Sequence, residues 1–281
     1  MEQEGSTDGD GSKVRLTGVV LTCNGEHIVE KCLSSLSFCD TILVVDSGST
    51  DATLEIAKKC GAEIVSRAWE GFASQFTFAH SLVKTPWFFI LDQDEICPEP
   101  LAKAIRNAVT HGGTVPEEQD IVAYSVGRKS WYYDRFMTHG GWYPDYILRL
   151  FRTGYVEFYE DAHIHYRPLG KSARLEGKEA EIIHYPYTSF FHQLTKLNSY
   201  AEKGAETMRA AGKKSGIAKA LLHGFFRFFR IYILKAGFLD GRAGFFAAAH
   251  GSFYAFLKYA RVLEASWGVP YDWHEKDISK K

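Results

Sequence analysis

The sequence has no cysteine after Cys97 and no CxxC pair, and its cysteine total of five is odd. That usage argues against a disulfide framework and a thiolate zinc site, and it fits reduced thiols in a cytosolic compartment. Net charge is almost absent, with 33 basic residues against 34 acidic ones, so no global field draws the chain to nucleic acid and any polyanion contact must be local. A basic start followed by an apolar core is missing too. Residues 1–13, MEQEGSTDGDGSK, are polar, acidic and glycine-rich, the composition of a disordered lead-in and not of a signal peptide. No uninterrupted apolar run reaches the roughly 18 residues of a membrane span, because the most apolar region, around 220 to 260, is broken by Arg, Lys, His and Asp.

What is present is a core-forming composition, 46% hydrophobic over 281 residues, and a regular alternation of patterns. VRLTGVVLT from Val14 is a β-branched strand, after which Ile28, Cys32, Leu33 and Leu36 fall on one side of a helix. TILVV ends at Asp46, and in the following SGSTDATLEIAKKCG, Ser49, Thr50 or Asp51 can cap a helix that Gly61 can end. EIVS is a third strand, residues 72–83 a helix, WFFIL a fourth strand and LAKAIRNAVTHGG a further helix with a glycine stop. Alternation of this kind predicts an α/β fold with an open, mostly parallel sheet flanked by helices, whose ligands bind beyond the carboxyl ends of the strands.

Two acidic features stand at those ends, Asp46 after TILVV and Asp92 after FFIL. In FFILDQDE the carboxylates of Asp92, Asp94 and Glu95 repel one another, and a divalent cation relieves that repulsion. Magnesium or manganese fits best, since both take oxygen ligands and share them with substrate phosphates. Acids after a strand also serve simply to cap the next turn. A phosphatase of the haloacid dehalogenase type is disfavoured by Ile96 and by the three strands that come first, and a calcium loop by the lack of a central glycine. Small residues around Asp46 let a ligand approach closely, and its carboxylate can accept hydrogen bonds from a nucleobase or ribose. A tight turn with a helix cap explains Ser49 to Asp51 but does not require an acid at the strand end.

Taken together, LTCNGE at 21–26, VVDSGSTDAT at 44–53 and LDQDE at 91–95 resemble the inverting family-2 glycosyltransferases of the GT-A fold in order, spacing and strand placement. WEGFASQ at 69–75, GGWYPDYILRLFR at 140–152, KLNSYAEKGAE and LKAGFLDGRAGF extend the resemblance to the lipopolysaccharide-core glucosyltransferase branch of the WaaE or LgtF type. The resemblance implies a catalytic domain over 14–190, with a nucleotide-binding half at 14–112 and an acceptor half at 113–190, followed by a helical extension over 191–281. It implies a UDP-sugar donor, a saccharide or glycolipid acceptor such as a lipopolysaccharide core, and a bound Mg2+ or Mn2+. Thr22, Asn24 and Glu26 would line the nucleotide pocket, and Asp46 would recognise uridine or its ribose, with Ser47, Ser49 and Asp51 beside it. Asp92 and Asp94 would hold the metal on the donor diphosphate, and Trp69 and Gln75 would wall the donor site. A tryptophan at 69 could equally pack the sheet.

Inverting transfer also needs a carboxylate that takes the acceptor proton. Related chains show Val-His-Glu after the LRLFR strand, where this chain has Ala162, His163 and Ile164. The base is therefore sought among Asp161, Glu160 and Asp145, in that order, with His163 fourth. His184, after the strand AEII, matches a histidine of the family and would complete the metal site or contact phosphate; a buried structural histidine is the alternative. Arg149 and Arg152 fall on opposite faces of their strand by parity, so at most one faces the site.

In GIAKALLHGFFRFFRIYILKA, residues 216–236, Lys219, His223, Arg227 and Arg230 form a basic helical face amid aromatics, and a second aromatic helix follows from about Ala243 to Leu263. Such a pair suits an anionic membrane surface, which would make the protein peripheral on the inner face of the cytoplasmic membrane, or suits simple packing with a solvated basic edge. Two other functions compete with sugar transfer. One is nucleotidyl or phosphoryl transfer on a related fold, although LTCNGE is not the glycine-rich GxGxR start that nucleotidyl transfer would want; the other is a catalytically silent nucleotide-binding scaffold at a membrane surface.

Overall fold

The computed structural model describes residues 15–111, 121–160, 164–177 and 179–264. Within these the chain forms two compact units, one of residues 15–136 and 142–186, the other of 137–141 and 187–264.

The first unit begins with the predicted alternation. β1 (Leu16–Thr22), α1 (Val29–Ser34), β2 (Thr41–Asp46), α2 (Thr53–Lys59), β3 (Glu63–Ser66), α3 (Phe72–Leu82), β4 (Trp87–Ile90), β5 (Glu95–Ile96) and α4 (Glu99–His111) follow in order. β1 pairs in parallel with both β2 and β4, and β2 with β3. After α4 come β6 (Ile121–Tyr132), β7 (Arg135–Phe136), β8 (Asp145–Arg152), β9 (Val156–Glu160), β10 (Ile164–Pro168), β11 (Lys171–Arg174) and β12 (Glu181–His184). The sheet runs β3-β2-β1-β4-β8-β6-β12-β5, with β7 and β11 also on β6, while β9 and β10 form a separate hairpin.

Strand β4 is apolar throughout because it is buried on both faces. Phe89 and Leu91 join α1 and α4 in one core, through Cys32, Leu33, Leu101 and Ile105. Phe88 and Ile90 join α3 and the β9 side in the other, through Phe76, Ala79 and Val156. The period of two along the strand thus divides the FFIL run between two helical layers.

The second half of the sheet closes back on the first. β4 and β5 are four strands apart in the sheet, yet Glu95 follows Ile90 by only five positions. A flat sheet would place them about 19 Å apart, whereas five steps of fully extended chain reach at most about 18 Å, and the Glu95 N–H to Asp92 C=O bond of 2.9 Å shortens that further. The sheet therefore curls, and Asp92-Gln93-Asp94 bridges its seam.

In the second unit, α5 (Phe190–Ala210), α6 (Ile217–Phe229) and α7 (Gly241–Arg261) pack together, with a π-turn at Arg230–Leu234 and a short 3-10 turn at Gly237–Asp240 between α6 and α7. Asp240 ties residues 138 and 139 to these turns, accepting from Thr138 N–H at 3.1 Å, Thr138 Oγ1 at 2.8 Å and His139 N–H at 2.7 Å. Among the described residues no helix is long and apolar enough to cross a membrane.

Candidate active site

The three loops that leave β1, β2 and β4 are laced together by hydrogen bonds between side chains and backbone. Asn24, in the left-handed region at φ 49°, donates its N–H to Ser49 Oγ at 2.9 Å and accepts from Thr50 N–H at 2.8 Å through Oδ1. Gly25 N–H meets Thr53 Oγ1 at 2.8 Å, Glu26 N–H meets Asp51 at 3.1 Å, and Glu26 accepts from Ala52 N–H at 2.9 Å. On the other side Gln93 Oε1 accepts from Cys23 N–H at 3.0 Å. A Cβ on Gly25 would lie 2.6 Å from that same Oε1, so a larger residue there would displace the Gln93 amide from this contact. The motifs read separately in the sequence are one hydrogen-bonded surface. Of the helix-cap candidates, Asp51 accepts from Thr53 N–H at 3.0 Å, although α2 itself begins at Thr53.

Asp46 is buried, with its carboxylate turned onto its own loop. Oδ2 accepts from Gly48 and Ser49 N–H, each at 2.9 Å, and Oδ1 from Ser49 Oγ at 2.5 Å and Thr22 Oγ1 at 3.2 Å. Four donors fill the lone-pair directions of a carboxylate. Asp46 thereby shapes its own loop and presents no unfilled acceptor. Ser47 receives Gln75 Nε2 at 2.9 Å, while Gln75 is buried with no partner for Oε1. Trp69 is 48% exposed and meets Phe72 edge-on at 4.7 Å. It stands on the surface, not in the sheet core.

The carboxylates after β4 lie in a network of charge. Glu95 is 0% exposed and accepts from Arg149 at 2.9 and 3.0 Å, from Arg128 at 3.1 Å and from Asp92 N–H at 3.1 Å. Arg149 is 3% exposed and also reaches Asp92 at 2.5 Å and the Tyr166 hydroxyl at 3.4 Å. Arg128 closes the chain on Asp145 at 2.8 Å. Burial pushes the Asp92 carboxyl up, but the Arg149 guanidinium outweighs it and holds the group below the usual carboxylate range. Glu95 goes the other way: burial, reinforced by the charge on Asp92, raises it despite both arginines. The same surroundings push the Tyr166 phenol up to about 12, burial first.

Arg149 reaches this network because β8 bulges there. Tyr124 pairs with Leu150 and Ser125 with Leu148, which leaves Arg149 as the extra residue. Arg149 points inward and Arg152 outward over Tyr155, as parity predicts, yet a bulge aims the first, not simple alternation.

Asp94 lies beside His184, with Oδ1 3.8 Å from Nε2, and Ser130 Oγ is 3.0 Å from His184 Nδ1. Holding one imidazole nitrogen and aiming the other at a carboxylate is a support pattern of metal-binding histidines. Among the described residues no three of His, Cys, Asp and Glu are grouped tightly enough to hold a metal alone. For magnesium or manganese that is no obstacle, since one or two carboxylates plus substrate phosphates are the usual donors. Asp92 stands against Arg149, Asp145 against Arg128 and Glu95 against both, while Asp94 lies beside His184. The two carboxylates Asp92 and Asp94 with a neighbouring imidazole are a donor set that fits one divalent cation.

The three candidates for the base meet different fates. Asp145 is paired with Arg128. Glu160 is exposed and caps α3, accepting from Ala73 N–H at 3.2 Å. Asp161, like His163, lies outside the described residues. Sequence reasoning missed Arg128 altogether, and missed that Glu95 is the hub joining both arginines. The one signal for Arg128 is an Arg-Lys pair interrupting the otherwise apolar and aromatic IVAYSVGRKSWYY.

The glycosyl transferase family 2 model matches residues 18–167. A lipopolysaccharide core biosynthesis glycosyltransferase, LpsC of Rhizobium meliloti (strain 1021), is 27% identical over 262 residues, which covers 90% of this chain and 93% of that one. An uncharacterized glycosyltransferase of Rickettsia bellii (strain RML369-C) is 24% identical, covering 90% and 87%. Among solved structures, S. aureus TarS 1-349 aligns over 90% of this chain and 91% of its own at 14% identity and a TM-score of 0.44. Glucosyl-3-phosphoglycerate synthase from Mycobacterium tuberculosis, in complex with Mn2+, UDP and phosphoglyceric acid, aligns over 42% and 43% at 23% identity and a TM-score of 0.33. At these scores the structural likenesses carry no further argument.

Proposed function

The chain belongs to glycosyl transferase family 2, and from that premise we propose that it moves a hexose, specifically glucose, from a UDP-sugar to a saccharide acceptor of the lipopolysaccharide core or another glycolipid, with inversion. We assign the chemistry to the first unit. The observation that carries the proposal is the cluster at the carboxyl end of β4, where Asp92 stands against the buried Arg149 guanidinium and Asp94 beside His184. The acceptor class is supported by the similarity to a lipopolysaccharide core transferase across nearly the whole of both chains.

Asp92 and Asp94, with His184, are the residues we propose for a divalent cation. Such a cation, when bound, offsets charge on the departing diphosphate. Arg149 and Arg128 keep fixed positive charge beside that point, where it favours the negative charge that develops there. The laced loops of Asn24, Glu26, Ser49 and Asp51 form the floor on which we place the nucleoside, with Asp46 and Ser47 bracing the turn beneath. Trp69 walls the donor side, its exposed indole offering a stacking face, while the buried Gln75 braces Ser47 from behind. The acceptor hydroxyl attacks the anomeric carbon from the opposite side while a carboxylate removes its proton. Asp161 is our choice of base, because Asp145 is held by Arg128 and Glu160 by the start of α3.

Transfer from a panel of UDP-sugars to isolated core saccharide tests this reading. Turnover should be highest with UDP-glucose, and Asp161→Asn should lower it about 100-fold or more while leaving UDP affinity unchanged. Transfer from no UDP-sugar would refute the donor, and unaltered turnover in Asp161→Asn would pass the base to Glu160 or Asp145.

A further inference from the structure

Helix α6 is docked by its small residues and turns its large ones outward. Ala220 and Gly224 are buried, and a Cβ on Gly224 would lie 3.2 Å from Phe256 and 3.3 Å from Ser252 of α7. Ile217, Leu221, Leu222, Phe225, Phe226 and Phe229 recur at helical spacing on the other side, with Ile217 at 74%, Leu222 at 68% and Phe225 at 71% exposure. An amphipathic helix of a globular unit normally buries that face. The exposed apolar surface continues through Ile233 and Leu234 of the π-turn into Phe238 and Leu239 of the 3-10 turn. A contiguous patch of this kind marks a contact surface.

Charge identifies what it contacts. Residues 210–264 carry nine Lys and Arg, of which Arg261 is paired with Glu202, and two acids, Glu264 and Asp240, the latter buried against Thr138 and His139. Lys219 and Arg230 are exposed and stand eleven residues apart, about three helical turns, so they line one border of the apolar face. The basic face expected from the sequence is narrower than that reading: His223 stacks on Tyr259 with ring centroids 3.9 Å apart, and Arg227 passes beside Gly251 of α7. Lys213, Lys214, Lys235 and Arg242 are exposed in the same unit. A second copy of this face would bring like charges together. A layer of anionic headgroups over hydrocarbon matches both the aromatics and the cations.

We propose that the outward face of α6 and the turns that follow it dock on bilayers rich in anionic lipid, the apolar side chains entering the acyl boundary and Lys219 and Arg230 meeting headgroup phosphates. The surface lies on the membrane and does not cross it. Docking does not depend on the identity of the sugar donor, and the two can fail separately.

Flotation of the full chain with phosphatidylcholine vesicles, with and without phosphatidylglycerol, tests the proposal. The chain should float only with phosphatidylglycerol and detach in high salt. Replacing both Lys219 and Arg230 by Gln should weaken partitioning about fivefold per charge removed. Leu222→Glu combined with Phe225→Glu should abolish it without changing the melting temperature or UDP affinity. Three results would overturn the proposal: no flotation with phosphatidylglycerol, undiminished flotation of the double Glu variant, or a dimer of the native chain that the double Glu variant dissolves. In the first of these cases, a loss of thermal stability in the double Glu variant would show that another segment covers the face.

Discussion

Glu95 accepts from Arg149, Arg128 and the Asp92 amide at once, all from a position with no solvent exposure. Removing it would leave two largely desolvated guanidiniums each short of a partner, a change that costs about 3–5 kcal/mol when a buried ion pair is broken from one side. Glu95→Ala should therefore lower the urea unfolding free energy by about that amount, and Glu95→Gln, which keeps the shape and part of the hydrogen bonding, by clearly less; equal losses would mean that the charge carries the whole contribution and the retained hydrogen bonding none of it. Asp92 and Asp94 were legible as candidates because two acids straight after a buried strand have no packing explanation. The role of Glu95 was not, since its partners lie 54 and 33 residues further along the chain, and no local pattern reports a contact of that range. Asp46 shows the converse. Its position at the strand end was legible, but the direction of its carboxylate depends on the turn formed by Gly48 and Ser49.

Strand β4 holds the two cores together, and Phe89 within it is fully buried among α1 and α4 residues. Phe89→Ala should cost about 3–5 kcal/mol by chemical denaturation; a loss under about 1 kcal/mol would mean that the two helical layers do not depend on the strand. The parallel strands β1 to β4 were readable because double-sided burial writes itself as an apolar run. The later half was less so. β5 and β7 are two residues long, and β11 is four, too short for any period to register, and the bulge at Arg149 breaks the alternation that parity relies on. In the helical unit, burial pushes the Asp240 carboxyl up, but hydrogen bonds from Thr138 and His139 outweigh it and hold the group below its ordinary value. A carboxyl depressed in the fold stabilises above its unfolded pKa and loses that contribution as pH falls through the folded one. The stability gap between the native chain and Asp240→Asn should thus be constant near neutrality and shrink below about pH 4, as followed by urea midpoints. A gap that widened on acidification would contradict the assignment.

Taken whole, the chain joins a curled α/β sheet of the GT-A kind to a helical unit with an apolar, cationic outer surface. The sheet gathers Asp92, Asp94, His184 and two arginines at its seam because β5 must return to β12 within five residues of β4. Calorimetric titration of UDP with and without Mn2+ tests the proposed divalent-cation site at that seam most directly. UDP should bind at least about tenfold more tightly with Mn2+, a coupling of about 1.4 kcal/mol, and Asp94→Ala should erase that difference while the protein stays folded. Equal UDP affinity with and without the metal in the native chain, or full metal dependence in Asp94→Ala, would contradict it.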